Sequence, residues 1–590
     1  MTSFQHTRDN REFLPVDWEF GDLLARQTSA DDSEEIAWLG AMAIAAVRQE
    51  HSCLDLEAWR QRPRSDDLDA PLPSPFTPHE WLERLERLPD IASADPSRRT
   101  PLVIVPDLKL VYLHKYRQYE LTIAAFIRQR LLARTAPAIS AETVHAANQY
   151  FSARPFAADH QQLAAALALD RHFAIITGGP GTGKTTVLAT ILALELERQP
   201  DLRIALAAPT GKAAARMTAA IADELRAGRL HPSPANAETM AALPAKTIHA
   251  LIGATAPGRK PRFHQENQLA CDLAVIDEAS MASLPIMARL LDALPPSCRL
   301  LLLGDKDQLT SVEAGSVLAD LCANQELKNH VARLTHNYRS AENTALCDFV
   351  ETIAAEEHLP ALDDLYSGRH PRFRARPLPV TAPGDSRREA LKQTLATTLE
   401  DMLTDGFSLP EWQQLPNLAR AFEYSDHFKI LAGLRDGPFG VVNLNRLMAD
   451  ILHLPLYANG APVLVLANDY VADLRNGDVG ICWDNQVFFA RPPDPEAPDQ
   501  CRYAAFSRVQ LPPHELVFAM TIHKAQGSGF TNVLMTLPEN DNPVLSRELV
   551  YTGITRAKRQ FRLWAPRHIL QNALQRPTSR WSGLMKKTPA

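Results

Sequence analysis

Gly178-Gly179-Pro180-Gly181-Thr182-Gly183-Lys184-Thr185 follows an apolar run, Phe173-Ala-Ile-Ile-Thr177, and opens a helix-forming stretch, Thr186–Arg198. The string fits G-x-x-x-x-G-K-[ST], and a strand before it with a helix after it is the context that gives this motif meaning. Glycines let the backbone curl so that successive amides face phosphate oxygens, and the helix N-terminus adds its dipole. Lys184 is then placed for the β- and γ-phosphates of ATP, and Thr185 for Mg²⁺. The whole run from Gly178 to Thr186 is expected to hold the nucleotide. The signal sets the fold class as α/β, because such a loop joins a buried parallel strand to a crossover helix.

Three more apolar runs agree: Arg203-Ile-Ala-Leu-Ala-Ala208, Leu273-Ala-Val-Ile276 and Arg299-Leu-Leu-Leu-Leu303. Near-continuous apolar runs suit strands covered on both faces. The third of the four ends in Asp277-Glu278. A carboxylate at a strand end can reach the Mg²⁺ shell, the expected role of Asp277, and Glu278 is placed to polarise an attacking water. Acidic pairs are usually solvated surface; an apolar strand leading into this one favours chemistry.

The chain has 590 residues, which implies several domains. It carries a net charge of −7 and a pI near 6.3. That balance excludes a protein that coats DNA electrostatically, though not one that holds a strand in a local groove. The seven cysteines show no C-x-x-C spacing, which argues against zinc or iron–sulfur ligation and fits reduced thiols. No signal-peptide order opens the chain and no apolar run is long enough to span a bilayer, so a cytoplasmic protein without membrane contact is expected. Up to about residue 140 the pattern is mostly helical, with apolar helical spacing in Ile36–Val47 and Tyr119–Leu132 and a proline-rich break from Arg62 to Pro78. A second proline-rich, weakly apolar stretch lies between Leu359 and Asp385. Pro462–Leu466, Gly480–Ala490 and Arg502–Val509, with a proline-rich break at Arg491–Pro498, read as a small all-β insertion.

Further segments resemble the ordered motifs of superfamily 1 helicases. Leu303-Gly-Asp-Lys-Asp-Gln-Leu309 is similar to motif III, which would make Gln308 a γ-phosphate sensor. Leu334-Thr-His-Asn-Tyr-Arg339 resembles motif IV, with Arg339 as a γ-phosphate ligand, and Leu549-Val-Tyr-Thr-Gly-Ile-Thr-Arg-Ala-Lys558 resembles motif VI, with Arg556 as the arginine finger. Met520-Thr-Ile-His-Lys-Ala-Gln-Gly-Ser528 is similar to motif V, and Gln161 lies where this superfamily contacts adenine. Two arginines from a second domain would neutralise charge on the transferred phosphoryl group, and hydrolysis would release that bridge. The same comparison implies a strand groove lined by Thr210, Lys212, Thr247, His249, Thr521, His523 and Lys524. Short polar groups at strand ends can hold phosphates without reading sequence.

Within the superfamily, Glu50-His-Ser-Cys-Leu-Asp55, Tyr112–Glu120, Asp436-Gly-Pro-Phe-Gly-Val441, Asn468-Asp-Tyr470 and Asn476-Gly-Asp-Val-Gly480 resemble the RecD family of exodeoxyribonuclease V (RecBCD) subunits. The resemblance implies two RecA-like P-loop motor domains, a helical N-terminal domain and a small SH3-like β insertion. The division expected is 1–140 for partner docking; 145–330 for the first motor, with a β-hairpin pin at about 257–270; 331–442 and 515–590 for the second motor; and 443–514 for the insertion. The same resemblance implies ATP and Mg²⁺ as cofactors, RecB and RecC as partners, single- and double-stranded DNA as substrates, and 5′-to-3′ movement. One departure stands out: the family's Ser-Glu-Phe after motif V is Ser528-Gly529-Phe530 here. A stand-alone RecD-like helicase and a non-catalytic assembly subunit are the alternatives. The first would carry a longer N-terminal region, and the second would not need Lys184, Asp277, Glu278, Gln308, Arg339 and Arg556 all intact.

Overall fold

A computed structural model of the chain describes residues 12–29, 32–62, 76–132, 159–228, 230, 232–254, 259–311, 313–338, 344–354, 359–379, 385–454, 457–469, 471–491, 502–578 and 580–586. The apolar runs around the Gly-rich loop form one six-stranded sheet, parallel throughout. Its order is Val331–Leu334, Phe173–Gly178, Arg299–Gly304, Leu273–Ile276, Ile204–Ala208, Ala245–Thr247. Alternation sorts each strand onto two cores. Ile175, Ile276 and Leu302 pack with the Leu284–Ala293 helix, while Ile176, Val275 and Leu301 pack under the Lys184–Arg198 helix. Because all the strands run one way, Gly178, Ile276, Gly304 and Ala208 end on one edge, and the loops that follow them gather there.

A second parallel sheet has five strands, in the order Phe373–Arg376, Ala557–Trp564, Phe530–Thr536, Phe428–Ala432, Ala519–Thr521. Its edge strand comes from the 359–385 stretch, which reads from the sequence only as proline-rich and weakly apolar. Phe373 and Ala375 pair there with Phe561 and Leu563, nearly two hundred residues later, and are buried in one core with them and Phe349. The all-β insertion is an antiparallel five-stranded sheet, in the order Arg502–Ser507, Gln486–Arg491, Val479–Trp483, Pro462–Val465, His514–Leu516. Gly480–Ala490, read as one strand, is a hairpin. Asp484 and Asn485 both adopt positive φ, as a two-residue turn between twisted strands requires.

The N-terminal unit is helical, with Pro15–Ala25, Ser33–Arg48 and His114–Leu132 as its main helices, and it adds a small sheet ordered Leu54–Asp55, Leu110–Leu113, Leu102–Val105, Ala92–Ser93. The first two helices touch backbone to backbone: a Cβ on Gly21 would lie 2.0 Å from the Ala37 carbonyl oxygen. In the expected pin region, the described part is a tight turn in which His264 and Asn267 exchange backbone hydrogen bonds. The expected breaks at Arg62–Pro78 and Arg491–Pro498 fall largely outside the described residues. Among the described residues, no helix is long and apolar enough to cross a membrane.

Candidate nucleotide site and strand groove

The Gly-rich loop folds around its own lysine. Lys184 Nζ donates to the carbonyl oxygens of Gly178 and of Gly179, the latter at 3.2 Å, and Thr182 Oγ1 donates to Gly179 O at 2.8 Å. Gly183 sits at φ +84°, and a Cβ there would lie 2.1 Å from Gln161 Nε2, so glycine is required twice over. Gln161 is itself buried and donates to Thr182 O at 3.0 Å, which fixes it against the loop.

Across the cavity, Asp277 Oδ1 accepts from the Glu278 N–H at 2.8 Å. Glu278 adopts the left-handed region (φ 50°, ψ 39°), unusual for a side-chain-bearing residue and a form of strain that concentrates at functional sites. Burial, then the neighbouring Glu278 carboxylate, push the Asp277 carboxyl well above its ordinary range. A hard divalent cation relieves that situation, and the Asp277 carboxylate with the Thr185 hydroxyl makes an oxygen donor set that fits Mg²⁺.

Gln308 is buried and donates to Asp305 Oδ2 at 2.8 Å. Its Oε1 accepts from Arg556 Nη2 at 3.0 Å, and that arginine comes from the second sheet. Arg556 also donates from Nε to Thr552 O and from Nη1 to Ser528 O, both at 3.0 Å. Tyr551 OH, one residue before Thr552, donates to Asp305 Oδ2 at 3.1 Å. Lys184, Thr185, Thr186, Asp277, Glu278, Gln308 and Arg556 therefore line one cavity of ≈ 320 Å³, together with Pro180, Gly181 and Gly183. The Thr186 hydroxyl is tied to Glu224 Oε1 at 2.6 Å. Arg339 lies outside the described residues; its neighbour Tyr338 lines the cavity and donates from its backbone N–H to Gly181 O at 2.9 Å.

The sequence reading missed Arg216. It lies on the helix Gly211–Arg226, one turn beyond Lys212, and enters the same cavity beside Ala213 and Met217. Its Nη1 donates to Gly527 O at 2.8 Å, so Gly527 and Ser528 give consecutive carbonyls to arginines from the two sheets. The four-residue spacing from Lys212 was the available signal, since it puts both cations on one helix face. Asp305 and Tyr551 sat inside quoted motifs without an assigned role.

The expected groove residues follow strand ends on both sheets. Thr210 and Thr247 cap the helices after adjacent strands, accepting from Ala213 N at 3.2 Å and Ala250 N at 3.1 Å. Thr521 accepts from Lys524 N at 3.4 Å, and Lys524 Nζ donates to Glu515 at 2.7 Å. Lys212 is exposed, and the insertion's Arg475 lies against its neighbour Gly211. Burial holds both His249 and His523 below the ordinary imidazole range.

Two parallel sheets closing on a phosphate loop, with an arginine reaching across, are the architecture of a P-loop motor, and the similarities to known proteins make it a superfamily 1 helicase. Residues 161–314 match the AAA domain model and 516–564 match the UvrD-like helicase C-terminal domain. Residues 9–108 match the N-terminal domain of the RecBCD enzyme subunit RecD. The chain is 34% identical to the RecBCD enzyme subunit RecD of Mycobacterium tuberculosis, covering 94% of this chain and 92% of that one. It is 33% identical to the same subunit of Haemophilus influenzae, covering 81% and 80%. A solved structure of Pif1 helicases at forked DNA aligns over 70% of this chain and 93% of its own, with 16% identity and a TM-score of 0.40. The chain belongs to the RecD family.

Proposed function

We propose that this chain is the 5′-to-3′ motor of a RecBCD-type complex, assembled with RecB and RecC in the cytoplasm and acting on DNA in double-strand-break repair and recombination. The observation that carries the reading is the single cavity in which Lys184, Thr185, Asp277 and Glu278 from one sheet meet Arg556 from the other. The proposed division of labour follows the chemistry. Gly178 to Thr186 and Gln161 hold ATP, and Lys184 leaves its loop carbonyls for the β- and γ-phosphates. Thr185 and Asp277 hold Mg²⁺, which when bound neutralises phosphate charge. Glu278 accepts a proton from the attacking water. Gln308 and Arg556, already bonded to each other, report the γ-phosphate to both sheets, and Arg339 adds a second positive charge. Loss of that phosphate removes the shared anion, so the sheets part and the strand groove lined by Thr210, Lys212, Thr247, His249, Thr521, His523 and Lys524 changes length. The domain division stated above applies, with the antiparallel sheet as the SH3-like insertion and the N-terminal unit as the docking part. No nuclease role is assigned to this chain.

The test is ATP hydrolysis with and without single-stranded DNA, comparing wild type with Lys184→Gln, each co-expressed with RecB and RecC. RecB carries its own motor, so the informative quantity is the part of the rate that the substitution removes. A large DNA-dependent part, strongest on duplexes with 5′ tails, supports the proposal. An intact complex whose rate does not change makes this chain a structural subunit.

A further inference from the structure

The segment Arg580–Leu584 crosses from the second sheet's C-terminal region to the N-terminal unit. Trp581 stacks on His51, with ring centroids 3.9 Å apart and 10° between planes. Its backbone N–H donates to His51 Nδ1 at 3.0 Å, and its carbonyl accepts from Ser52 N and Ser52 Oγ at 3.0 and 2.9 Å. Ser582 Oγ and Gly583 N donate to Glu120 Oε1 at 3.2 and 3.3 Å. Leu584 is buried in the core under the first sheet, where its carbonyl accepts from Asn324 Nδ2 at 3.0 Å. These four residues fasten the N-terminal unit to the first motor.

Arg580 points elsewhere. Its guanidinium enters the loop that runs away from Gln308: Nη1 donates to Glu313 O at 3.1 Å and Gly315 O at 2.7 Å, and Nη2 to Ser311 O at 2.5 Å and to the Glu50 carboxylate. Glu50 adds a backbone contact, its carbonyl accepting from Gly315 N at 2.9 Å. At its other end the same loop is held by the second sheet, since Leu309 N donates to Thr552 Oγ1 at 2.9 Å and Leu309 O accepts from Gln526 Nε2 at 2.7 Å. Gln308 thus begins a loop gripped by motif V and VI residues at one end and by Arg580 at the other.

We infer that Arg580 is a positioning residue for ATP turnover, setting the loop behind Gln308 so that the N-terminal unit bears on the nucleotide cavity. The inference rests on the motor reading above. Three carbonyls that converge on one point repel one another unless a cation sits between them. A planar fork with several donors satisfies them together with a carboxylate, whereas an ammonium does so only in part. With the fork removed, Ser311, Glu313 and Gly315 lose their common partner, and Gln308 keeps its chemistry but loses its fixed approach, the kind of small misplacement that costs rate rather than affinity.

The experiment measures DNA-stimulated ATP turnover of the full three-subunit complex, taken as the part of the rate that Lys184→Gln abolishes. If Lys184→Gln removes nothing, the motor reading itself fails, independently of Arg580. Expected for Arg580→Ala is a fall in kcat of about 10-fold or more with KM for ATP within about twofold of wild type, and partial recovery in Arg580→Lys. Glu50→Gln, which keeps every carbonyl contact, covers the case in which Arg580→Ala does not assemble, and is expected to lower kcat about two- to threefold. An assembled Arg580→Ala complex with wild-type kcat overturns the inference. So does wild-type kcat in Glu50→Gln when Arg580→Ala fails to assemble.

Discussion

Arg556 and Arg580 are both buried guanidiniums joining parts of the chain that pack into separate cores, yet their partners differ in kind. Arg556 makes two of its bonds within its own sheet's region, to Thr552 O and Ser528 O, and crosses the cleft only to the neutral Gln308 amide. Among the described residues, the cleft is also crossed by single bonds from Thr552 and Gln526 to Leu309 and from Arg216 to Gly527 O, all involving backbone groups, and by one bond from Tyr551 OH to the Asp305 carboxylate. Arg580 spreads its donors over three carbonyls and a carboxylate, on two units other than its own. A net hydrogen bond is worth about 0.5–1.5 kcal/mol, and hydrogen bonds to charged groups about twice that. The first junction is suited to open on each turnover and the second to hold throughout it.

The largest effect belongs at the opening junction. Arg556→Ala should reduce ATP turnover by about 10³-fold or more while leaving the thermal midpoint within a few degrees of wild type; a large midpoint shift would make Arg556 a structural staple and erase the contrast. Arg216→Ala, which removes the second cation holding the Gly527-Ser528 turn, should lower kcat by about 10²-fold, measured at saturating ATP. Should turnover stay at the wild-type level, Arg216 only lines the cavity.

Beyond Arg580 itself, the segment that continues the holding junction should fail through stability. A Cβ on Gly583 would sit 2.3 Å from Tyr112 OH and 2.8 Å from Glu120 Oε2. Gly583→Ala is therefore expected to cost about 1–3 kcal/mol, seen as a lower midpoint and faster proteolysis of the N-terminal unit, with ATP turnover retained in protein that stays folded. The smallest effect is a pH dependence. Burial pushes the Asp320 carboxyl, beside Ser582 and Arg580, up to about 7. Its folded value lies above its unfolded one, so its contribution is present below the ordinary carboxylate range and is lost as pH rises toward 7. Wild type should lose midpoint relative to Asp320→Asn between about pH 4 and pH 7, and a constant difference would remove Asp320 from the account.

Much of this was legible in the residues. The Gly-rich loop, the strand ending in Asp277-Glu278 and the Gln308 motif are local, and the strands that carry them announced themselves as apolar runs bounded by turns. The insertion was legible as all-β, but its central hairpin was not, since Asp484 and Asn485 take positive φ without the glycine that marks such turns. The N-terminal sheet was hidden because Leu102–Val105 and Leu110–Leu113 are four-residue strands among longer helices. Phe373–Arg376 became a strand only when the Ala557–Trp564 strand lay beside it.

By itself the sequence determined what could be written in short-range hydrogen bonding and apolar periodicity, the phosphate loop and the parallel strands that aim it; the ordered motifs were legible through their resemblance to a family. Tertiary structure decided what depends on partners far along the chain. Cys271 and Cys298, separate in sequence, lie with Sγ atoms 3.2 Å apart at the starts of neighbouring strands. Arg216 becomes part of the nucleotide cavity because a turn from the other sheet arrives beside it. Arg580 meets Ser311 across 269 residues and Glu50 across 530. A lone arginine in a sequence looks like any solvated arginine; it acquires a role only when folding brings converging carbonyls and a carboxylate around it and removes the water that would otherwise satisfy them.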